Sequence, residues 1–131
     1  MTILETLKKW SDVELSFIDK NIILSKQNYR HIISYYFFGS CDLCAQVMDL
    51  DDVNFKNLYR KILTYIGITE LEIDNVFETW MLDQFSDKEL SIIKHGARCF
   101  REFENNPKGV NGLGFCLRKF SNSSNQANTP R

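Results

Sequence analysis

The chain lacks the long apolar run that a membrane-spanning helix requires. No hydrophobic segment approaches the ~20 consecutive apolar residues that cross a bilayer. The first residues also lack the basic segment followed by an apolar one that marks a secretory signal. Both absences predict a protein that does not associate with membranes and works in the cytoplasm.

A strong net charge is also missing. The chain has 16 basic and 17 acidic residues, and its formal net charge is −1. Nucleic-acid-binding proteins usually carry a marked basic excess, so nucleic acid is not the expected main partner. The two histidines, His31 and His95, lie in no known catalytic motif, and no phosphate-binding loop occurs. The sequence therefore predicts a non-enzymatic protein without cofactor or metal.

The chain does contain enough apolar material for one core. Its 131 residues match the usual size of a single domain, and 44% of them are hydrophobic. The last eleven residues are rich in Ser and Asn and include no core former. We therefore predict one domain over residues 1–120 and a disordered tail over residues 121–131.

Helical spacing of apolar residues dominates the sequence. Residues 52–66 place theirs on one stripe, and a second stripe follows Thr69, which forms a capping-box pattern with Glu72. Because only two residues separate the two segments, we predict an antiparallel helical hairpin over residues 52–84. The second stripe consists of Ile73, Val76, Phe77, Trp80 and Met81, of which the first four are expected to point inward.

The remaining segments extend the same pattern. Ser86 and Glu89 form another capping box ahead of a long apolar stripe. Residues 27–50 favour a central helix with a bend or a close contact at Gly39, although β-branched and aromatic residues leave a strand over residues 32–38 open. The prediction is an all-α, single compact domain of five or six helices.

The cysteines allow three interpretations. Cys41 and Cys44 form a C-x-x-C motif, but the chain lacks the alternating strands and helices of a thioredoxin-like redox fold. This favours two small apolar side chains on one face of a buried helix in a reducing compartment. A zinc site built from Cys41, Cys44, His95 and Cys99 is the other alternative, since Cys and His are the usual ligands.

Charge is segregated in the C-terminal half. Between Glu70 and Glu89 there are seven acids and one base. From residue 94 onwards the sign reverses, with two acids, Glu102 and Glu104, against seven bases: Lys94, Arg98, Arg101, Lys108, Arg118, Lys119 and Arg131. Acidic helices are usually solvated faces, but carboxylates this dense repel one another unless salt, the basic segment or a partner balances them.

The acidic block supports the main functional hypothesis. We predict a protein-interaction module that binds a basic surface, as a bacterial immunity or inhibitor protein does when it neutralises a toxin or nuclease domain. Two alternatives stay open: a helical nucleic-acid-binding regulator that uses the basic segment, and a Cys-based redox or zinc protein. A homodimer would be expected if the aromatic run at residues 35–38 were exposed. The predicted partner-binding residues are Glu70, Glu72, Asp74, Glu78 and Asp83.

Overall fold

Seven helices, and no strand, build the part of the chain that the structure describes. The structure is a computed structural model and describes residues 2–106 and 111–127, with side chains through residue 121. In chain order the helices are α1 (Ile3–Leu15), α2 (Lys20–Leu24), α3 (Gln27–Met48), α4 (Asp52–Ile66), α5 (Glu70–Met81), α6 (Asp87–Asn105) and α7 (Gly112–Ala127).

Short polar side chains define where most of these helices begin. Such a side chain accepts a hydrogen bond from a backbone N–H of the first turn, which has no partner within the helix. At α6 the arrangement is a complete capping box, because Glu89 also accepts from the N–H of Ser86. The capping residues of α1, α2, α4, α5 and α6 are Thr2, Asp19, Asp51, Thr69 and Ser86.

Helix α3 lies at the centre of the fold. Every residue from 32 to 41 is buried, and a helix that is buried on all sides must be surrounded by other elements. The all-α prediction is confirmed, and the strand alternative over residues 32–38 is wrong. Burial of these side chains between helices outweighs their preference for strands. The aromatic run at residues 35–38 belongs to the core and offers no exposed surface to a second copy.

A close contact between α3 and α6 occurs at two glycines. A Cβ atom on Gly39 would lie 2.8 Å from the carbonyl carbon of Ile93, and one on Gly96 would lie 2.8 Å from the carbonyl carbon of Tyr36. These distances are shorter than any ordinary contact, so the backbones approach each other only because both positions lack a side chain. The close contact predicted at Gly39 is confirmed, and Gly96 is its counterpart.

Helices α4 and α5 form the predicted hairpin. Arg60 near the middle of α4 contacts Glu70 at the start of α5, and the rings of Phe55 and Trp80 at the opposite end lie 5.1 Å apart. The two helices therefore run in opposite directions. Phe38 of α3 packs against the rings of both helices, so the hairpin lies directly on the central helix.

The described residues form seven helices, whereas the sequence predicted five or six. Helix α2 has only five residues, too few for a periodic pattern in the sequence. Helix α7 continues to Ala127, whereas the sequence predicted that the domain ends at residue 120. Residues 128–131 of the predicted tail lie outside the described residues. None of the helices in the described ranges has both the length and the hydropathy needed to cross a bilayer.

Candidate functional site

The predicted partner-binding residues lie on and just after α5. The inner side of this helix is fixed by Ile73, Val76 and Phe77, which are buried against the core. The Thr69 hydroxyl accepts from the N–H of Glu72 at 3.3 Å, and this starts the helix. The reciprocal half of the predicted capping box is replaced, because the Glu72 carboxylate instead meets an arginine of α3.

Two arginines neutralise part of the acidic block. Arg30 of α3 places Nε 2.8 Å from Oε1 of Glu72, and both side chains are largely shielded from water. Arg60 of α4 contacts Glu70 and, at 3.3 Å, also Asp74. These bases come from α3 and α4 rather than from the basic C-terminal segment. Sequence reasoning missed both, because no local pattern places Arg30 or Arg60 beside α5.

The side chains of Glu78 and Asp83 are exposed to solvent. Neither makes an ion pair within the residues that the structure describes. The ammonium of Lys56 on α4 lies over the rings of Phe77 and Trp80, at 5.7 and 5.9 Å from the ring centroids. Of the five predicted residues, these two therefore contribute the largest uncompensated field.

Exposed apolar side chains lie beside the acids. Leu71 is 71% exposed, Met81 66% and Leu82 56%. Met81 lies outside the core, because Phe77 packs on Tyr59 and Trp80 packs on Phe55 on the inner side of the helix. Together with Asp74 and Glu78 these exposed apolar residues lie on one side of the helix, and Asp83 follows just beyond its end. We call this set the outer surface of α5; it consists of Leu71, Asp74, Glu78, Met81, Leu82 and Asp83.

A small polar pocket lies on the other side of α5, against α3 and the start of α6. His31 Nε2 is 2.8 Å from Oε2 of Glu89, and the second oxygen of Glu89 accepts from the N–H of Ser86. Burial, helped by the charge of Glu89, raises the pKa of Tyr35 to about 12, so its hydroxyl stays protonated. The carboxylate of Glu89 is already used for capping and for His31, which favours a structural role for this pocket.

The cysteines do not assemble into a reactive or metal-binding site. All four are buried, and burial raises the pKa of each thiol, to about 12 for Cys44 and Cys116. A catalytic thiol needs the opposite shift. In residues 2–106 and 111–127 no three His, Cys, Asp or Glu side chains are placed to hold a metal ion. The zinc site of Cys41, Cys44, His95 and Cys99 is therefore not formed.

The thiols are expected to resist alkylation in the folded protein. Iodoacetamide at neutral pH should modify fewer than one cysteine per chain in the time that modifies all four after denaturation. The reason is that burial in the core limits access of the reagent to the sulfur atoms and lowers the fraction of thiolate. Mass spectrometry of the alkylated protein measures the number. Rapid modification of Cys41 or Cys44 in the native protein would contradict this expectation and support the redox hypothesis.

The basic C-terminal residues converge only in part. Lys108 and Arg131 lie outside the described residues. Arg98 of α6 lines a groove between α6 and α7, where its Nη2 is 2.6 Å from Nδ1 of His95, and the ammonium of Lys119 lies over the ring of Phe115. The lining of this groove includes one cation, Arg98, and one carboxylate, Glu102.

A buried carboxylate that the sequence did not reveal links three helices. Glu14 of α1 has no exposed surface, and its carboxylate accepts from the hydroxyl of Tyr36 in α3 and, at 3.3 Å, from the N–H of Leu113 in α7. Burial raises its pKa to about 7, against the opposing effect of both hydrogen bonds. Helix α1 runs without interruption from Ile3 to Leu15, and this turns Glu14 inward.

Comparison with protein-family models, curated proteins and solved structures finds no match to this chain. Function is therefore inferred from the molecule's own surfaces. The outer surface of α5 is one of the places where exposed apolar side chains lie beside charged ones.

Proposed function

We propose that this protein is a non-enzymatic interaction module that binds a basic protein partner through the outer surface of α5. The observation that carries the proposal is the mixture of side chains on this surface. Three large apolar residues are more than half exposed beside carboxylates, although the core is already filled by other residues of the same helix. Exposed apolar groups that a fold does not need are typical of binding surfaces.

The two kinds of side chain have different roles in such an interface. Apolar groups at the centre of an interface are removed from water and provide most of the affinity. Carboxylates at the rim attract a positive partner over a distance of about 8–10 Å at physiological salt, and this raises the association rate. On the outer surface of α5, Met81 and Leu82 are the apolar candidates, while Glu78 and Asp83 are the carboxylates without an ion pair to the described residues.

The internal ion pairs reduce the number of predicted acidic residues that are available to a partner. Glu72 is held by Arg30, so it stabilises the fold and is the least available of the five residues. Glu70 and Asp74 share the single charge of Arg60 and keep part of their field. A partner would therefore contact Glu78 and Asp83 first, with Asp74 and Glu70 beside them.

The charge of the surface restricts the class of partner. A nuclease or toxin domain that binds phosphate has a positive cleft, and a helix with exposed carboxylates and a few apolar anchors can cover it. Bacterial immunity and inhibitor proteins act in this way, and they are the functional class we propose. A cytoplasmic site of action fits the four unpaired thiols, which persist under reducing conditions.

Reversing the charge of Glu78, or removing that of Asp83, is expected to weaken partner binding at least tenfold. A photo-crosslinking residue at Asn75, an exposed position beside Glu78, would capture the partner in an extract of the source cells. The affinity of the purified pair is then compared for the unmodified protein and for Glu78→Lys and Asp83→Asn variants. The partner should have a basic contact surface, and binding should weaken as salt increases.

Glu104→Lys is the matched control. Glu104 is also an exposed helical glutamate, so the change in net charge is the same as for Glu78→Lys, but it lies on α6. Equal affinities for the Glu78→Lys variant and the unmodified protein would contradict the proposal. So would equal losses for the variants at positions 78 and 104, because the effect would then depend on net charge rather than on the outer surface of α5.

A further inference from the structure

An apolar groove lies where α2 and the start of α3 meet α7. Its volume is about 240 Å³. Three aliphatic side chains and one tyrosine ring contribute to its walls, and the charged group in this lining is a guanidinium. The groove is lined by Ile18, Ile23, Tyr29, Gly114, Leu117 and Arg118.

Two hydrogen bonds outside the groove hold its walls in place. Nη1 of Arg30 donates to the carbonyl oxygen of Leu24 at 2.9 Å, and this fixes the end of α2 to α3. The amide of Asn28 donates to the hydroxyl of Ser121 at 3.2 Å, and this fixes the start of α3 to α7. The spacing of the walls is therefore set by residues that do not line the groove.

Helix α2 carries apolar side chains that the core does not bury. None of its five residues is buried, although Ile22, Ile23 and Leu24 are three of them. Ile22 is 56% exposed, and Phe17 in the segment before α2 is 50% exposed. Apolar side chains that a fold leaves in contact with water are typical of a binding site. A ligand in the groove would cover the exposed part of Ile23.

Two donors of the lining are available to a ligand. Arg118 is exposed and makes no ion pair or hydrogen bond with the described residues, and the hydroxyl of Tyr29 makes no hydrogen bond with them either. The carboxylate of Asp19, next to Ile18, accepts from the N–H of Ile22 at 3.4 Å as the cap of α2. The groove therefore offers a guanidinium and a hydroxyl to an anion beside an apolar surface.

The shape and charge of the groove restrict its ligand. A guanidinium binds a carboxylate through two parallel hydrogen bonds, so one arginine suits a ligand with one carboxylate. A neutral ligand would leave Arg118 unused, and the rest of the lining favours a hydrocarbon group. The volume of about 240 Å³ is below the ~300–1,000 Å³ of sites for drug-sized molecules, so the ligand is small.

We propose that this groove binds a small apolar monocarboxylic acid, with the carboxylate on Arg118 and the hydrocarbon part against Ile18, Ile23 and the ring of Tyr29. The hydroxyl of Tyr29 is a second donor for the carboxylate. The site is independent of the protein-binding function proposed above, because α5 contributes no residue to the lining. Failure to find a partner for α5 has no bearing on it.

Binding is tested by two-dimensional NMR of the ¹⁵N-labelled protein, titrated with hexanoate, 1-hexanol and acetate. Hexanoate should bind with a dissociation constant of about 1 mM or below, as expected for a ligand of about eight non-hydrogen atoms. Hexanol keeps the chain without the charge and should bind at least fivefold more weakly. Acetate keeps the charge without the chain and should not bind at the same concentrations. The shifted amide signals should be those of the lining residues.

Two substitutions separate the charged and the apolar contact. Arg118→Gln should weaken hexanoate binding about fivefold or more and leave hexanol binding unchanged. Ile23→Ala should weaken the binding of both about threefold, since less hydrocarbon surface is buried. Arg101→Gln, at an exposed arginine of α6, and Ile22→Ala, on α2 but outside the lining, are the matched controls. Both should bind like the unmodified protein.

The proposal is overturned if hexanoate causes no shift changes at ten millimolar, or if the changes lie away from the lining residues. It is also overturned if Arg118→Gln binds hexanoate as tightly as Arg101→Gln does, because the carboxylate would then not be on Arg118. Circular dichroism of each variant confirms that a loss of binding is not a loss of fold.

Discussion

Gly96→Ala is expected to destabilise the protein by about 3 kcal/mol, the upper end of what overpacking a core usually costs. The added methyl would lie 2.8 Å from the carbonyl carbon of Tyr36 and closer still to its oxygen. Both atoms belong to the backbone of the central helix, so no rotamer change can relieve the clash and α3 and α6 must separate. Urea unfolding of the variant, followed by circular dichroism, measures the loss. Gly39→Ala should behave similarly, because its methyl meets the backbone of Ile93.

Gly114→Ala is the matched control for this prediction. Gly114 is also a buried helical glycine, but the atoms near its added methyl belong to the side chain of Asn111, which can rotate away. Alanine has the higher helix propensity by about 1 kcal/mol, so the net change should be small. Equal losses at positions 96 and 114 would show that helical glycines are sensitive for a reason other than the close contact of the two helices.

Stability is expected to fall by about 3 kcal/mol between pH 4.5 and pH 8 because of Glu14 alone. Its pKa is raised from 4.5 to about 7 in the folded protein, since the buried carboxylate is stabilised in its neutral form. Between these two values the native state holds a proton that the unfolded chain has lost, so the free energy of unfolding decreases as pH rises. Above pH 7 both states are deprotonated at this position, and the loss is complete.

A Glu14→Gln variant isolates this contribution. Glutamine keeps the shape of the protonated side chain and does not titrate; its carbonyl oxygen can accept from the N–H of Leu113 while its amide donates to the hydroxyl oxygen of Tyr36. The difference in unfolding free energy between the variant and the unmodified protein should therefore change by about 3 kcal/mol from pH 4.5 to pH 8, with the variant favoured at high pH. Other titrating groups cancel in this difference. A constant difference across the range would mean that Glu14 is as easily ionised in the core as in water.

The features that the sequence predicted correctly are local ones. The hairpin of α4 and α5 follows from two apolar stripes and the short connection between them, and the start of α6 follows from Ser86 and Glu89. Each depends on residues within one or two turns of each other. The close contact at Gly39 was also predicted, because a glycine inside an apolar helix usually has a packing reason.

The features that escaped prediction depend on residues far apart in the chain. Arg30 and Glu72 are separated by 42 positions, and Glu14 and Leu113 by 99. Nothing in the local pattern of Glu14 distinguishes it from a solvent-exposed glutamate. For the candidate site, the acids of α5 were predicted, but their compensation by Arg30 and Arg60 and the exposure of Met81 required the packed structure.

Arg60 shows how a guanidinium binds to the carboxylates of α5. Its guanidinium lies over the ring of Phe77, 5.4 Å from the centroid, and contacts two carboxylates that are four residues apart, Glu70 and Asp74. The same spacing recurs one turn further along, between Asp74 and Glu78, where the described residues form no ion pair with Glu78. In the function that we propose, an arginine of the partner would bind Glu78 beside Asp74, in the way that Arg60 binds Glu70 beside Asp74.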